Sequence, residues 1–245
     1  MRALFYRIGR FGEALKNGLP PGLESFVMDV FFGKCPIWLI CRLWPEAGGY
    51  LKMRSPVAGD TVIDAGAWKG HFSVIASRLV GPAGKVIAVE PQREMCERLR
   101  DRLRRLSINN VHVVHAGLYD REGELRLPRR TCSDFNLFAA ATGSSEFELV
   151  KLTTLDRMHA TLHFHCVNFV KMDIEGAEIE ALLGGAATIS AQHPFFAIAS
   201  YHVREGRTTS AHVEAILRGS GYCTATGHRS HLTTWGWWGS SRVHP

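Results

Sequence analysis

The sequence predicts an α/β fold, a mostly parallel sheet with helices on both faces. Two observations carry the prediction. After Pro56, short apolar runs alternate with segments of helical period, which is how βα units read. The end of the chain then breaks that rhythm with two strand-like runs joined through a polar turn, an antiparallel hairpin closing the sheet.

Before this region the N-terminus "MRALFYRIGRFGEALKNG" carries Arg2, Arg7, Arg10, Glu13 and Lys16, so it holds no clean secretory apolar segment. The run from Phe26 to Trp44 is the most apolar of the chain. Asp29, Lys34, Pro36 and Arg42 interrupt it short of the roughly 20 residues a membrane span needs. It reads instead as an amphipathic cap over a site, or as a surface that touches lipid. Residues 1–55 are therefore expected to form an N-terminal helical cap, and 56–245 the main domain.

Within that domain "TVIDAG" is a buried strand. "KGHFSVIASRLV" is helical, with Phe72, Ile75, Ala76 and Leu79 on one face, and "GPAG" ends it. "KVIAVEP" is the second strand. "REMCERLRDRLRRL" is an amphipathic helix turning Cys96, Leu99, Leu103 and Leu106 inward, and "VHVVHAGL" is the third strand. From Tyr119 to Thr153 the pattern loosens into polar turns and short strands over the sheet edge. "VNFVKMDIEG" supplies the fourth parallel strand and "AEIEALLGGA" its helix. "FFAIASYH" is the fifth strand, followed by a helix at "SAHVEAILRGSG". "YCTATG" and "HLTTWGWWG" make the hairpin, for seven strands in the sheet.

The net charge of +6 is modest and designates no nucleic-acid partner. Arg98, Arg100, Arg102, Arg104 and Arg105 lie opposite the leucine stripe and read as a solvated helix face. The six cysteines, Cys35, Cys41, Cys96, Cys132, Cys166 and Cys223, form no C-x-x-C pair. Free thiols in a reducing, cytoplasmic compartment are the simpler reading. His159, His163, His165 and Cys166 in "HATLHFHC" lack the second cysteine pair of a metal site, so structural or exposed histidines are expected.

At "DAGAWKG" the first strand turns into the first helix, where open α/β sheets bind ligands beyond their strand ends. Gly66 and Gly70 leave room for a ligand against the turn, although tight turns also use glycine for geometry alone. Asp64 precedes the first glycine, unlike the G-x-G-x-x-G fingerprint. A carboxylate there repels a pyrophosphate and suits an ammonium or sulfonium charge. Glu90, twenty residues after Gly70, ends the second strand, placed to accept both hydroxyls of a ribose. A ribose with a cationic amino-acid tail describes S-adenosylmethionine better than NAD.

"VIDAGAWKGHFS", "GKVIAVEP", "LTTLD" and "VNFVKMDIEGAEIEALLGGA" resemble, in order and spacing, the FkbM family of S-adenosylmethionine-dependent methyltransferases over about Thr61 to Ser200. The resemblance implies a class I methyltransferase (Rossmann-like) fold with 56–245 as the cofactor-binding domain. It implies methyl transfer, most often to a hydroxyl oxygen of a sugar, glycolipid or natural product. It gives Asp64, Gly66, Ala67 and Gly70 to the methionine end of the cofactor and Glu90 to the ribose. By analogy of fold, Gly117 and Leu118 border the adenine. Two positions depart from the family pattern: Trp68 stands where a small polar residue, often asparagine, is usual, and Ser200 where the fifth strand tends to end in glutamate.

The donor's sulfonium is already a good leaving group, so the protein must align donor and nucleophile and, for an alcohol, remove a proton. Asp173 ends the fourth strand facing the same crevice. It can touch the cofactor's amino group, or position or deprotonate the acceptor, with Glu175 beside it. His202 is a candidate general base, since imidazole titrates near physiological pH. Lys171 alternates onto the face of Asp173, its expected carboxylate partner. A divalent metal among Asp173, Glu175 and His202 is left open without a fixed ligand spacing. Glu178 and Glu180 read as ordinary helix residues, and the "WGWWG" tryptophans either stack an acceptor or close the hairpin core. Two rivals stand beside this reading. One is a lipid- or nucleic-acid-binding module on a degenerate methyltransferase fold. The other is an NAD-dependent dehydrogenase, which the Asp64-led loop disfavours. The expected partners are a small-molecule or glycan hydroxyl acceptor and, through the N-terminal segment, a membrane surface.

Overall fold

Proline has no N–H to continue a helix, and Pro36 and Pro45 divide the apolar N-terminal run into three pieces. In the computed structural model of the chain, described over residues 21–128, 147–162, 166–228 and 231–239, these are α1 (Pro21–Lys34), α2 (Ile37–Leu43) and α3 (Pro45–Tyr50). No described helix is long and apolar enough to cross a membrane. The βα alternation follows as β1 (Thr61–Ala65), α4 (His71–Val80), β2 (Lys85–Glu90), α5 (Arg93–Arg105) and β3 (Val111–His115). Next come β4 (Gly117–Leu118), β5 (Gly123–Pro128) and β6 (Phe147–Thr153). The second half contributes α6 (Leu155–Leu162), β7 (Phe169–Met172), α7 (Glu178–Leu183), α8 (Ala186–Gln192), β8 (Phe195–Ala199), the short pair β9 (Val203–Arg204) and β10 (Arg207–Thr208), α9 (Ser210–Gly219), β11 (Tyr222–Gly227) and β12 (Thr233–Trp238).

The seven-stranded sheet has the order β3-β2-β1-β7-β8-β12-β11. All its pairs are parallel except those of β12, which runs antiparallel to both β8 and β11. The closing hairpin is thus present, with its second strand inserted next to β8. Every residue of β1, β7 and β8 is buried, as both-face burial in a parallel sheet requires. Alternate side chains divide between two layers. Val62, Val86 and Phe169 pack with α1–α4, while Ile63, Ile87 and Val170 pack with α6–α9. The N-terminal helices share this core: Phe32, Ile40, Trp44 and Tyr50 are buried in it.

Three local readings change. The run "VHVVHAGL" does not continue as one strand: β3 ends at His115, and Gly117–Leu118 pairs with β6 in a separate three-stranded sheet with β5. Helix α4 is buried well beyond its expected face, including Ser73, Val74 and Ser77, because α1 covers the side turned from the sheet. Arg78 of α4 donates to the carbonyls of Phe32 and Cys35, tying the two together. Arg102 is not on a solvated face. Its side chain is 4% exposed and pairs with buried Asp29 of α1 at 2.6 Å, and Arg105 reaches the second oxygen of Asp29 at 2.7 Å. His163, His165 and Cys132 lie outside the described residues.

Candidate active site

Because β1 has β2 on one side and β7 on the other, the chain leaves the sheet in opposite directions at its carboxyl end. That divergence opens a crevice over the tips of β1, β2 and β7. The loop after β1 takes three residues through positive φ, Gly66 (73°), Trp68 (48°) and Gly70 (79°). A Cβ at Gly66 would lie 1.8 Å from the carbonyl oxygen of Asp173, and one at Gly70 would lie 2.0 Å from Cδ1 of Leu99. What passes close to these glycines is the chain itself: the loop after β7 at Gly66 and helix α5 at Gly70. The left-handed turn at Trp68 is one that asparagine adopts more readily than tryptophan.

The crevice holds a cavity of about 420 Å³. Gly66, Ala67, Glu90, Gly117, Leu118, Asp173 and Glu175 all line it. One wall is apolar, built by Leu118, Leu125, Val150 and Leu152. Trp44, between α2 and α3, and Tyr50 of α3 close another side, with Trp68 from the β1 loop. Glu90 is held by two backbone donors, Trp68 N–H at 2.8 Å and Gln92 N–H at 2.9 Å, one on each oxygen. Burial dominates its titration. It is pushed up to about 7, despite those two donors and the Lys171 charge, with Asp64 adding to the rise.

Asp64, Gly70 and His202 were expected at this cavity and do not line it. The Asp64 carboxylate is fully buried beneath the loop, accepting the Ser73 hydroxyl at 2.6 Å and pairing with Lys171 Nζ at 3.0 Å. Lys171, which does line the cavity, therefore has Asp64 and not Asp173 as its bonded partner. It also donates to the carbonyls of Ala65 (3.2 Å) and Gly66 (2.8 Å), fixing the loop. Although burial opposes its charge, Asp64 and Asp173 raise its pKa.

Asp173 stands at the polar end. Tyr50 donates to its Oδ2 at 2.8 Å and Tyr201 to its Oδ1 at 3.2 Å. Burial alone would raise its pKa. His231, whose Nε2 is 3.9 Å from Oδ2, together with Lys171 and His202 outweighs that and holds the carboxyl well below the usual range. Behind it, His202 is enclosed by three carboxylates: Asp173 and Glu175, each 3.4 Å from Nε2, and Glu178, 2.9 Å from Nδ1. Burial opposes its charge, but Glu175, Glu178 and Asp173 push it up to about 10. Enclosed by three carboxylates and without a face on the cavity, His202 does not fit the general base expected of it. Glu178 is no ordinary helix residue either. Fully buried, it accepts the N–H groups of Ile174 and Gly176 at 3.2 Å each, whereas Glu180 pairs with Arg204 at 2.8 Å. Ser200 is buried against Thr234, and Trp235 donates to Gly49 O in the core, so the hairpin tryptophan closes structure there.

Tyr50, Tyr201 and His231 join the site without having been singled out in the sequence. Tyr201 had one signal, its position between Ser200 and His202 at the tip of a strand. Tyr50 and His231 arrive from distant segments and had none.

A profile of the methyltransferase FkbM domain matches residues 64–223, well over half the chain. The chain belongs to the FkbM methyltransferase family. A crystal structure of Methyltransferase FkbM from Methylobacillus flagellatus KT shares the fold, with a TM-score of 0.56 and 20% identity over 93% of this chain and 58% of its own. Aeropyrum pernix fibrillarin, solved with natively bound S-adenosyl-L-methionine, matches with a TM-score of 0.52 and 12% identity over 78% of this chain and 74% of its own. The protein-L-isoaspartate O-methyltransferase of Ignicoccus hospitalis is 41% identical over 56 residues, 23% of this chain and 26% of that protein. The FkbM chain thus spans about a quarter of that curated relative. Its fold is that of S-adenosylmethionine-dependent methyltransferases, and membership of the FkbM family, not the fold, sets the dehydrogenase rival aside.

Proposed function

We propose that this FkbM chain transfers a methyl group from S-adenosylmethionine to a hydroxyl oxygen of a sugar, glycolipid or natural-product acceptor. The observation that carries the reading is the polarity of the cavity from end to end. Glu90 sits in one part and the Asp173–Tyr50–Tyr201 group in another, with an apolar wall and a backbone loop alongside.

The residues present fit the nucleoside. Each oxygen of Glu90 is fixed by one backbone N–H and keeps acceptor capacity for a ribose hydroxyl. Gly117, Leu118 and the leucines opposite suit a flat base, and the Gly66–Ala67 loop and Asp173 suit the amino-acid end. Asp64 serves this site through Lys171, by holding the loop, rather than by direct contact. When bound, the cofactor supplies a methyl group on positively charged sulfur.

For an alcohol, the chain's own residues must orient the hydroxyl and accept its proton. Asp173 stays ionised and orients. Glu175 lines the same end, and burial raises its proton affinity, so it is the better placed carboxylate to take the proton. Glu175→Gln is expected to lower turnover on the order of a hundredfold or more, while S-adenosylhomocysteine affinity by calorimetry stays within about twofold. Wild-type chain that binds neither S-adenosylmethionine nor S-adenosylhomocysteine would sink the reading.

A further inference from the structure

Donor atoms from two neighbouring strand ends converge beside the cavity. Asp173 and Glu175 lie just beyond β7 and His202 just beyond β8, and one ligand atom from each falls within 4.8 Å of the other two. His202 Nε2 is 3.4 Å from Asp173 Oδ1 and 3.4 Å from Glu175 Oε2. It makes no satisfactory hydrogen bond to either, although the ring is only 5% exposed. Two ligands each about 2.1 Å from one ion stand about 3.0 Å apart in an octahedral set and about 3.4 Å apart in a tetrahedral one, so these atoms need to move by only a few tenths of an ångström to share an octahedral ion. The spacing is that of groups arranged around a shared cation.

The far side of the imidazole agrees. Nδ1 lies at ion-pair distance, 2.9 Å, from Glu178 Oε1 without hydrogen-bond alignment, and that carboxylate is itself fixed by the Ile174 and Gly176 N–H groups. A carboxylate on the outer nitrogen orients a metal-binding histidine and turns its other nitrogen toward the ion. Charge points the same way. Three carboxylates crowd one imidazole, while Lys171, whose charge acts on Asp173, is paired with Asp64.

We propose that Asp173, Glu175 and His202 bind one divalent cation, and that the acceptor hydroxyl reaches it from the cavity. Two carboxylates favour a hard ion such as Mg²⁺ or Mn²⁺, and the imidazole tips the set toward Mn²⁺. The cation holds the acceptor oxygen and lowers the hydroxyl's pKa as it does that of bound water. The O–H electron pair stays on that oxygen. The proton passes to the Glu175 oxygen not bound to the ion. This role for the hydroxyl rests on the O-methylation reading; the cation site rests on the three donors.

The test titrates Mn²⁺ alone into the full chain after dialysis against a chelator, following the free-Mn²⁺ electron paramagnetic resonance signal. Wild type should take up one ion per chain. Glu175→Gln should bind at least roughly tenfold more weakly with its melting temperature kept. If that variant melts early, Asp173→Asn carries the same comparison. A folded wild type that leaves Mn²⁺ free, or folded variants that bind it equally well, overturns the proposal. S-adenosylhomocysteine is titrated separately. Binding of the nucleoside without Mn²⁺ removes the cation and keeps the methyltransferase reading, and Mn²⁺ binding without the nucleoside does the reverse.

Discussion

Gly66 and Gly70 look alike in sequence, but they solve different contacts. Both have positive φ, which is strained for any residue with a Cβ by about 1–2 kcal/mol. At Gly70 the added carbon meets the end of the Leu99 side chain, which can rotate away. At Gly66 it meets the Asp173 carbonyl, part of the backbone that carries the polar end of the site. Gly70→Ala should therefore lose about 1–3 kcal/mol in a denaturant titration. Gly66→Ala should lose clearly more, or fail to fold. Equal losses would mean that the loop after β7 yields as easily as a leucine. Asp64 illustrates the limits of local reading. Alternation places Lys171 and Asp173 on one face. The partner of Lys171 is set instead by β1 lying beside β7, with Asp64 opposite Lys171 in register. Strand adjacency of that kind is absent from any local pattern.

At the scale of elements, the central strands were legible because a both-face buried strand has to be apolar throughout. The β3–β4 break was not, since Ala116 interrupts no apolar pattern and the change of sheet is decided by pairing with β6. Helix α8 was hidden behind Gly184 and Gly185, which end α7 and start a new helix rather than a loop. Arg102 was misread because its helix alone presents a plausible polar face, and the helix that buries it, α1, lies 73 residues earlier in contact. That buried pair should matter. Asp29→Ala leaves the Arg102 guanidinium desolvated without its carboxylate and is expected to destabilise the chain by about 3–5 kcal/mol. Hydrogen exchange should speed up most in α1, where Asp29 also holds Arg105. A variant with wild-type stability and unchanged α1 protection would show that apolar burial of Phe31 and Phe32 suffices to dock the helix.

Across the whole molecule, the sheet order brings Glu90 from β2 and Lys171 from β7 to either side of β1, and this sets a pH response for ligand binding. Burial raises Glu90 to about 7, with Asp64 adding to the rise and Lys171 and the Trp68 and Gln92 N–H groups opposing it. Unfolded, the same carboxyl has an ordinary value near 4.5. Between those two values the folded chain binds more protons than the unfolded one. The Glu90 contribution to stability is therefore present below about 4.5 and is lost as pH rises through about 7. In the proposed binding mode a ribose donating two hydroxyls prefers the carboxylate form, so binding should lower the Glu90 pKa and expel a proton. The dissociation constant for S-adenosylhomocysteine should accordingly fall on the order of tenfold between about pH 5.5 and 7.5, then level off. Calorimetry in buffers of different ionisation enthalpy should register proton release near pH 6.5, absent in Glu90→Gln. Proton uptake on binding, or an affinity flat across that range in wild type, would place the ribose away from Glu90 and reverse the orientation of the nucleoside in the cavity.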